Sequence, residues 1–198
     1  MNAPPSYLLP YLKAAERHGG GFGSLLWASR QTQSARFEAI HRICDLSGRS
    51  ILDAGCGRAD LLDFLLHRGI LPSRYVGLEA VPELAAVAET KQHDFVEILR
   101  GDFVEDRALL DAGVEVIVFS GSLNTLDRKA FYRTLASAFV VAGTDVVFNF
   151  LSSPYLAHGK HLTWHHPSDV LRVAESMTKK VRHLDDYLKG DCTCRMTK

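Results

Sequence analysis

From Ser50 onward the chain alternates short apolar runs rich in β-branched residues with segments whose apolar residues recur every three or four positions. Runs at 50–54, 74–79, 95–100, 114–119 and 144–150 read as strands, and 59–68, 82–92, 104–110 and 127–141 as the helices between them. That alternation is the pattern of a parallel sheet with crossover helices. Leu61, Leu62, Leu65 and Leu66 form one stripe for burial against the sheet. Pro82 opens the next helix where its missing N–H costs nothing, and Asp127 is a good N-cap for the helix that carries Phe131, Leu135 and Phe139. After the fifth strand come a loop, a helix from Pro167 to about Ser176, and two β-like runs at 180–184 and 192–196. Asp186 to Asp191 supplies the turn between them, Gly190 gives that turn its backbone freedom, and the runs pair as an antiparallel hairpin. On the N-terminal side, residues 6–18 predict a short helix, Gly19 to Gly23 a hinge, and Trp27 to Phe37 the lead into a helix reaching about Leu46.

A chain of 198 residues, 46% apolar, suffices for one packed domain. The division it suggests is a helical extension or lid over 1–48 and an α/β domain over 49–198. The formal net charge is zero and no block of like charges stands out, so a nucleic-acid partner is disfavoured. No stretch approaches the roughly 20 apolar residues that span a bilayer, and the first residues lack a basic region followed by an apolar core. A cytoplasmic location without a membrane partner is expected. Cys44, Cys56, Cys192 and Cys194 lack the density of a disulfide framework. Cys192 and Cys194 face one side of a strand and raise a zinc alternative with the His-rich stretch 158–166. Zinc sites more often use Cys-x-x-Cys spacing, and no metal is expected.

The segment Ile51-Leu52-Asp53-Ala54-Gly55-Cys56-Gly57-Arg58-Ala59-Asp60 carries an apolar strand into an acid and two close glycines, ahead of an amphipathic helix. At a strand's carboxyl end such a loop brings backbone near a nucleotide-type ligand, because glycine avoids a Cβ clash and the next helix offers free N–H groups. Neither Gly-x-Gly-x-x-Gly nor the phosphate loop Gly-x-x-x-x-Gly-Lys-Ser/Thr is present. Asp60 occupies the place of the third small residue, and Asp53 and Asp60 suit a cationic ligand better than a pyrophosphate.

Leu52-Asp53-Ala54-Gly55-Cys56-Gly57 resembles motif I of the class I, Rossmann-like S-adenosylmethionine-dependent methyltransferases, with Ala59 in place of the usual third glycine. The resemblance implies S-adenosylmethionine as cofactor and S-adenosylhomocysteine as product. It also implies a seven-stranded, mostly parallel sheet of order 3-2-1-4-5-7-6 with its last strand antiparallel and helices on both faces. Glu79 ends the second run ahead of Ala80, and its two carboxylate oxygens match the ribose diol. By resemblance, Asp102 stands near the adenine amine and Phe103 against the ring, while Ser120, Gly121 and Asn124 belong to the turn on the methyl-transfer face. The cofactor set is therefore Asp53, Gly55, Cys56, Gly57, Glu79, Ala80, Asp102, Phe103, Ser120 and Gly121. Arg36 joins it as a bidentate partner for the methionine carboxylate; the alternative is an ordinary surface arginine on a helix.

From Trp27 to the C-terminus the chain resembles a bacterial methyltransferase group that also carries a Ser-Gly turn before Asn and a closing Asp-Tyr-Leu segment, and that names no acceptor. Candidates on the acceptor side are Trp27, Asn124, Tyr155 and Trp164. His158, His161, His165 and His166 are candidate bases near neutral pH, though each taken alone reads more readily as an ordinary loop histidine. A sulfonium methyl is already activated, so proximity and desolvation supply much of the rate, and a small-molecule acceptor is the leading expectation. DNA-amine methyltransferases are expected to show Asn/Asp-Pro-Pro-aromatic after the fourth strand, where this chain has Ser120 to Asn124. A non-catalytic S-adenosylmethionine-binding subunit or sensor acting through a protein partner is the alternative. An aminopropyltransferase would want an acid between Ser120 and Leu126, and a nicotinamide oxidoreductase conflicts with Asp60. The oligomeric state is open.

Overall fold

The computed structural model describes residues 3–157, 159 and 161–198. Seven strands form one sheet: β1 (Ser50–Ala54), β2 (Arg74–Glu79), β3 (Val96–Arg100), β4 (Val116–Phe119), β5 (Asp145–Leu151), β6 (Lys180–Leu184) and β7 (Asp191–Thr197). Their order is β3-β2-β1-β4-β5-β7-β6, and β7 runs antiparallel to both its neighbours while the rest pair in parallel. This is the order that the motif resemblance implied. Among the described residues six α-helices accompany it: α1 (Leu9–His18), α2 (Arg30–Ile43), α3 (Asp60–His67), α4 (Pro82–Ala88), α5 (Arg128–Val141) and α6 (Pro167–Met177).

The central strands are buried on both faces, which is why their sequences read as continuous apolar runs. Successive residues still go to opposite sides. Leu52, Ile117, Phe148 and Phe150 share one core with Phe131 and Leu135 of α5 and Val170 of α6. Ile51, Val116, Val118 and Val147 share the other with Phe37, Ile40 and Ile43 of α2 and with Leu61 and Leu65 of α3. Leu62 turns instead to a third cluster with Tyr75 and Ala88.

Two elements differ from their sequence reading. The helix expected over 104–110 is a single 3-10 turn at Arg107–Leu110. Asp102 accepts the Val104 N–H (2.9 Å) and Asp106 the Ala108 N–H (3.1 Å), and such side-chain-to-backbone bonds compete with helix continuation. The glycine hinge is a packing contact: a Cβ at Gly20 would lie 2.8 Å from the Glu83 carbonyl of α4. That close approach fixes where the N-terminal segment crosses the domain.

Opposite the cleft described below, the N-terminal rim of the sheet is closed around Asp145. Its carboxylate accepts from Arg195 Nε (2.7 Å), Thr197 Oγ1 (2.6 Å), Thr144 Oγ1 (2.9 Å) and Arg49 Nη2 (3.2 Å). Burial alone would raise its pKa, but these donors outweigh it and hold it at about 2.

Candidate functional site

The loops after β1, β2, β3, β4 and β5 open into one cleft at the carboxyl ends of the strands, the position where open α/β sheets bind ligands. Its cavity holds about 290 Å³, at the lower end of the roughly 300–1,000 Å³ of small-ligand pockets. One side is made by the N-terminal segment: Tyr7, Leu8 and Tyr11 at α1, then Leu25, Leu26 and Trp27 before α2.

Gly55 and Gly57 adopt φ of +77° and +58°, left-handed conformations in which glycine avoids a Cβ penalty. The Gly55 and Cys56 N–H groups donate to the Leu78 carbonyl (2.8 and 3.1 Å), hooking the loop onto β2. The nearest neighbours of an added Cβ are protein atoms: the Ser122 side chain at Gly55 and the Leu25 side chain at Gly57. The glycines thus let the β4 turn and the N-terminal segment close on the loop. Ala59 takes the same left-handed region, φ +57°, as the residue ahead of α3. Gly57→Ala combines a strained φ with a collision on Leu25. Its expected result is at least roughly tenfold weaker cofactor binding in a calorimetric titration.

Glu79 is almost fully buried, and its carboxylate is held by the Gly57 N–H (2.7 Å, to Oε2) and the Val81 N–H (2.8 Å, to Oε1). Each oxygen keeps a lone pair for a ligand, and the residue lines the cleft beside Ala80. Burial raises its pKa while those backbone N–H groups oppose the shift. Asp102 and Phe103 form the next wall. Tyr7 donates to Asp102 Oδ2 at 2.7 Å, so the N-terminal segment closes directly on this acid, and burial together with that carboxylate holds the Tyr7 phenol far above its usual range. Phe103 meets Phe119 edge-on at 5.5 Å.

The β4 turn supplies Ser120, Gly121, Ser122 and Asn124. Ser122 Oγ donates to the Ala54 carbonyl (2.6 Å), and Gly121 is left-handed with the Trp27 ring and Arg36 Nη1 packed over it. Asn124 is 6% exposed, lines the cleft, and its Oδ1 has no partner. Arg36 also lines the cleft, stacked over Trp27 at 4.7 Å. It is no surface residue, and it already has a carboxylate: Nε and Nη2 both donate to Asp191 Oδ2. The chain continues from Asp191 to Tyr187, Thr193, Asn149 and Ser120, tying α2, β5, β7 and the β4 turn into one buried network.

Several candidates lie elsewhere. Asp53, Cys56 and Asp60 do not line the cleft. Asp53 sits beneath the loop, accepting from Tyr75 Oη (2.6 Å) with its other oxygen unpaired. Asp60 accepts from Gln33 (3.0 Å). Their charge reaches a ligand only through the field, not by contact. Of the four histidines, His158 lies outside the described residues. His161 is exposed away from the cleft, His166 caps α6, and His165 is stacked on Phe131 at 4.0 Å in a separate cavity. Trp164 lines that second cavity, and Tyr155 is 52% exposed with Lys189 over its ring. Leu156 and Leu162 of the same loop face the cleft instead. Cys192 and Cys194 belong to the main core. The sequence reading missed Tyr7 and Tyr11, whose spacing of four across the start of α1 was the available signal, and Asp191, which no local signal marks.

Two buried groups titrate in opposite senses. Burial pushes Asp53 up to about 7, with Glu79 and Asp60 adding to the rise and the Tyr75 bond opposing it. A carboxyl with a raised folded pKa gives stability that is lost as pH rises from 3.8 through about 7. Burial, then Arg128, lower His165 to about 4, so its share is lost as pH falls from 6.5 through about 4. The two slopes offset one another. Asp53→Asn removes one, so its Tm is expected to climb more steeply than the parent's over that acidic window in thermal melts. An unchanged slope would mean that Asp53 does not titrate there.

Residues 52–144 match a family model described as a methyltransferase domain. No curated protein sequence matches significantly. Among solved structures, a DhpI–SAH complex aligns with TM-score 0.70 and 16% identity over 96% of this chain and 94% of its own. The CcbJ methyltransferase from Streptomyces caelestis aligns at 0.66 and 14% over 94% and 96%. Magnesium protoporphyrin IX methyltransferase from Synechocystis PCC 6803 with bound SAH aligns at 0.66 and 9% over 85% and 83%. At these identities the structures establish the fold, and the family model adds the domain. The residues in hand fit the cofactor, since each Glu79 oxygen has acceptor capacity left over and Asp102 and Phe103 line the same cleft. The chain thus has the fold of the class I, Rossmann-like methyltransferases, and residues 52–144 match a methyltransferase domain.

Proposed function

We propose that the protein methylates a small, largely apolar acceptor held beneath residues 7–28, with Asn124 as its orienting polar contact. The observation that carries this reading is the cleft's lining, in which Leu126, Leu151, Leu156, Leu162 and Leu188 accompany Asn124, whose buried Oδ1 has no partner. An enclosed carbonyl oxygen in such a lining selects a ligand that brings an N–H or O–H to it. The bound sulfonium cofactor supplies an electrophilic methyl group. Glu79 holds the ribose hydroxyls, Asp102 and Phe103 the adenine, and Gly55, Gly57, Ala80, Ser120 and Gly121 the remaining backbone contour. Arg36, fixed by Asp191, turns its remaining guanidinium nitrogen toward the methionine carboxylate.

Among the described lining residues there is no histidine, lysine or cysteine, and burial pushes the Tyr11 phenol up to about 12. The acceptor atom therefore arrives with its own lone pair free, as an amine, a thioether or an already acidic hydroxyl does. Closure by Tyr7, Leu25 and Trp27 excludes water and aligns that lone pair. The four free, buried cysteines support a reducing, cytoplasmic setting.

The test starts with calorimetric titration of S-adenosylmethionine, S-adenosylhomocysteine and NAD, followed by release of S-adenosylhomocysteine over panels of amines, phenols, carboxylates, thiols, RNA and protein. Turnover confined to the RNA or protein panels would sink the small-acceptor reading. Asn124→Ala is expected to raise the acceptor KM while leaving cofactor binding intact.

A further inference from the structure

A second cavity lies behind the loop that joins β5 to α6. Arg128 and Tyr132 of α5, Thr163, His165 and Asp169 wall it, with Trp164 at its side. His165 is 5% exposed and its Nε2 has no partner; Tyr132 Oη is enclosed beside the Arg128 guanidinium, which can only donate, so its O–H has no acceptor. Stacking on Phe131, at 4.0 Å and 24°, fixes the imidazole plane. Buried polar atoms in folded proteins are nearly always bonded, so two orphans around one cavity call for an occupant with complementary atoms. A neutral imidazole can present Nε2–H and a phenol its O–H, both donors.

The local charge selects the occupant's sign. Arg128 Nη2 (3.1 Å) and Arg172 Nη2 (3.0 Å) share the single carboxylate of Asp169. Two guanidiniums against one acid leave a net positive charge at the cavity's edge. Donors backed by an incompletely neutralised guanidinium are the equipment for an oxyanion. We propose that this cavity is a binding site for a small oxyanion, a carboxylate or a phosphate monoester, held by Tyr132, His165 and Arg128. The site stands one residue behind the acceptor wall: Leu162 faces the main cleft, and the Thr163 N–H donates to the Asn124 carbonyl (2.7 Å).

Thermal melts of the full chain, titrated separately with sodium acetate and sodium phosphate at constant ionic strength balanced by chloride, test this. A bound ligand is expected to raise Tm saturably, by several degrees at a roughly hundredfold excess over Kd. Response to acetate alone assigns a carboxylate, and response to phosphate alone a phosphate ester. Tyr132→Phe and Arg128→Gln are each expected to weaken the effect by roughly tenfold, while the Tm rise given by S-adenosylmethionine stays as in the parent. No saturable rise beyond the chloride control, or an equal rise in both variants, overturns the proposal and leaves the cavity to water.

Discussion

Asp145→Ala is expected to lower the unfolding free energy by about 3 kcal/mol, near the low end of what breaking a buried charge pair costs. Asp145 is 2% exposed and receives four donors from β7, Arg49 and the turn ahead of β5. Alanine would leave Arg195 Nε and Thr197 Oγ1 without their acceptor in a partly enclosed place, and unpaired donors carry most of such a penalty. For a domain of this size the loss corresponds to a Tm lower by roughly 6–12 °C. The acid's depressed pKa adds a signature. Its share of stability is present above pH 3.8 and lost as pH falls through about 2, so parent and variant should converge under strong acid. Because Asp145 begins β5, at the opposite end of the sheet from the cleft, cofactor affinity measured below the melting range should not change. A variant that binds cofactor poorly while folded would contradict this separation.

Glu79→Ala should weaken S-adenosylmethionine binding by roughly 30–150-fold, the equivalent of about 2–3 kcal/mol for hydrogen bonds to a charged group. The substitution removes the acceptor proposed for the ribose hydroxyls and also the anchor for the Gly57 N–H at 2.7 Å. Glu79→Gln keeps an oxygen acceptor and lacks the charge, so its affinity should fall between parent and alanine. Calorimetric titration reads both. An unaltered Kd in Glu79→Ala, with the melt showing a folded protein, would remove Glu79 from the cofactor site.

The strand ends were legible because chemistry and position coincide there. Glu79, Asp102, Gly55 and Gly57 each follow or end an apolar run, and each lines the cleft. Asp53 and Asp60 were read by the same rule but do not line the cleft. Asp53 points from β1 toward Tyr75 on β2, and Asp60 opens α3 beside Gln33 of α2. Side-chain direction along a strand alternates, and one residue's shift decides between a cleft wall and a buried pocket. His161, His165 and His166 lie off the cleft for a different reason. A loop's sequence does not say which of its faces turns inward, and here Leu156 and Leu162 face the cleft while His165 and Trp164 face the second cavity.

By itself, the sequence determined the seven strands, the six α-helices to within a few residues and the turn glycines. These depend on local periodicity and on backbone conformations that few residue types tolerate, whereas the kind of cofactor was implied by the resemblance of the Asp53–Gly57 motif to a known family. Tertiary structure alone decided that Arg36 is clamped by Asp191, 155 positions away. It also decided that Tyr7 closes on Asp102 and that Asn124 Oδ1 is left without a partner in the cleft lining. Such pairings follow from how distant elements pack, where burial removes water as a competing partner and makes each missing or satisfied bond count.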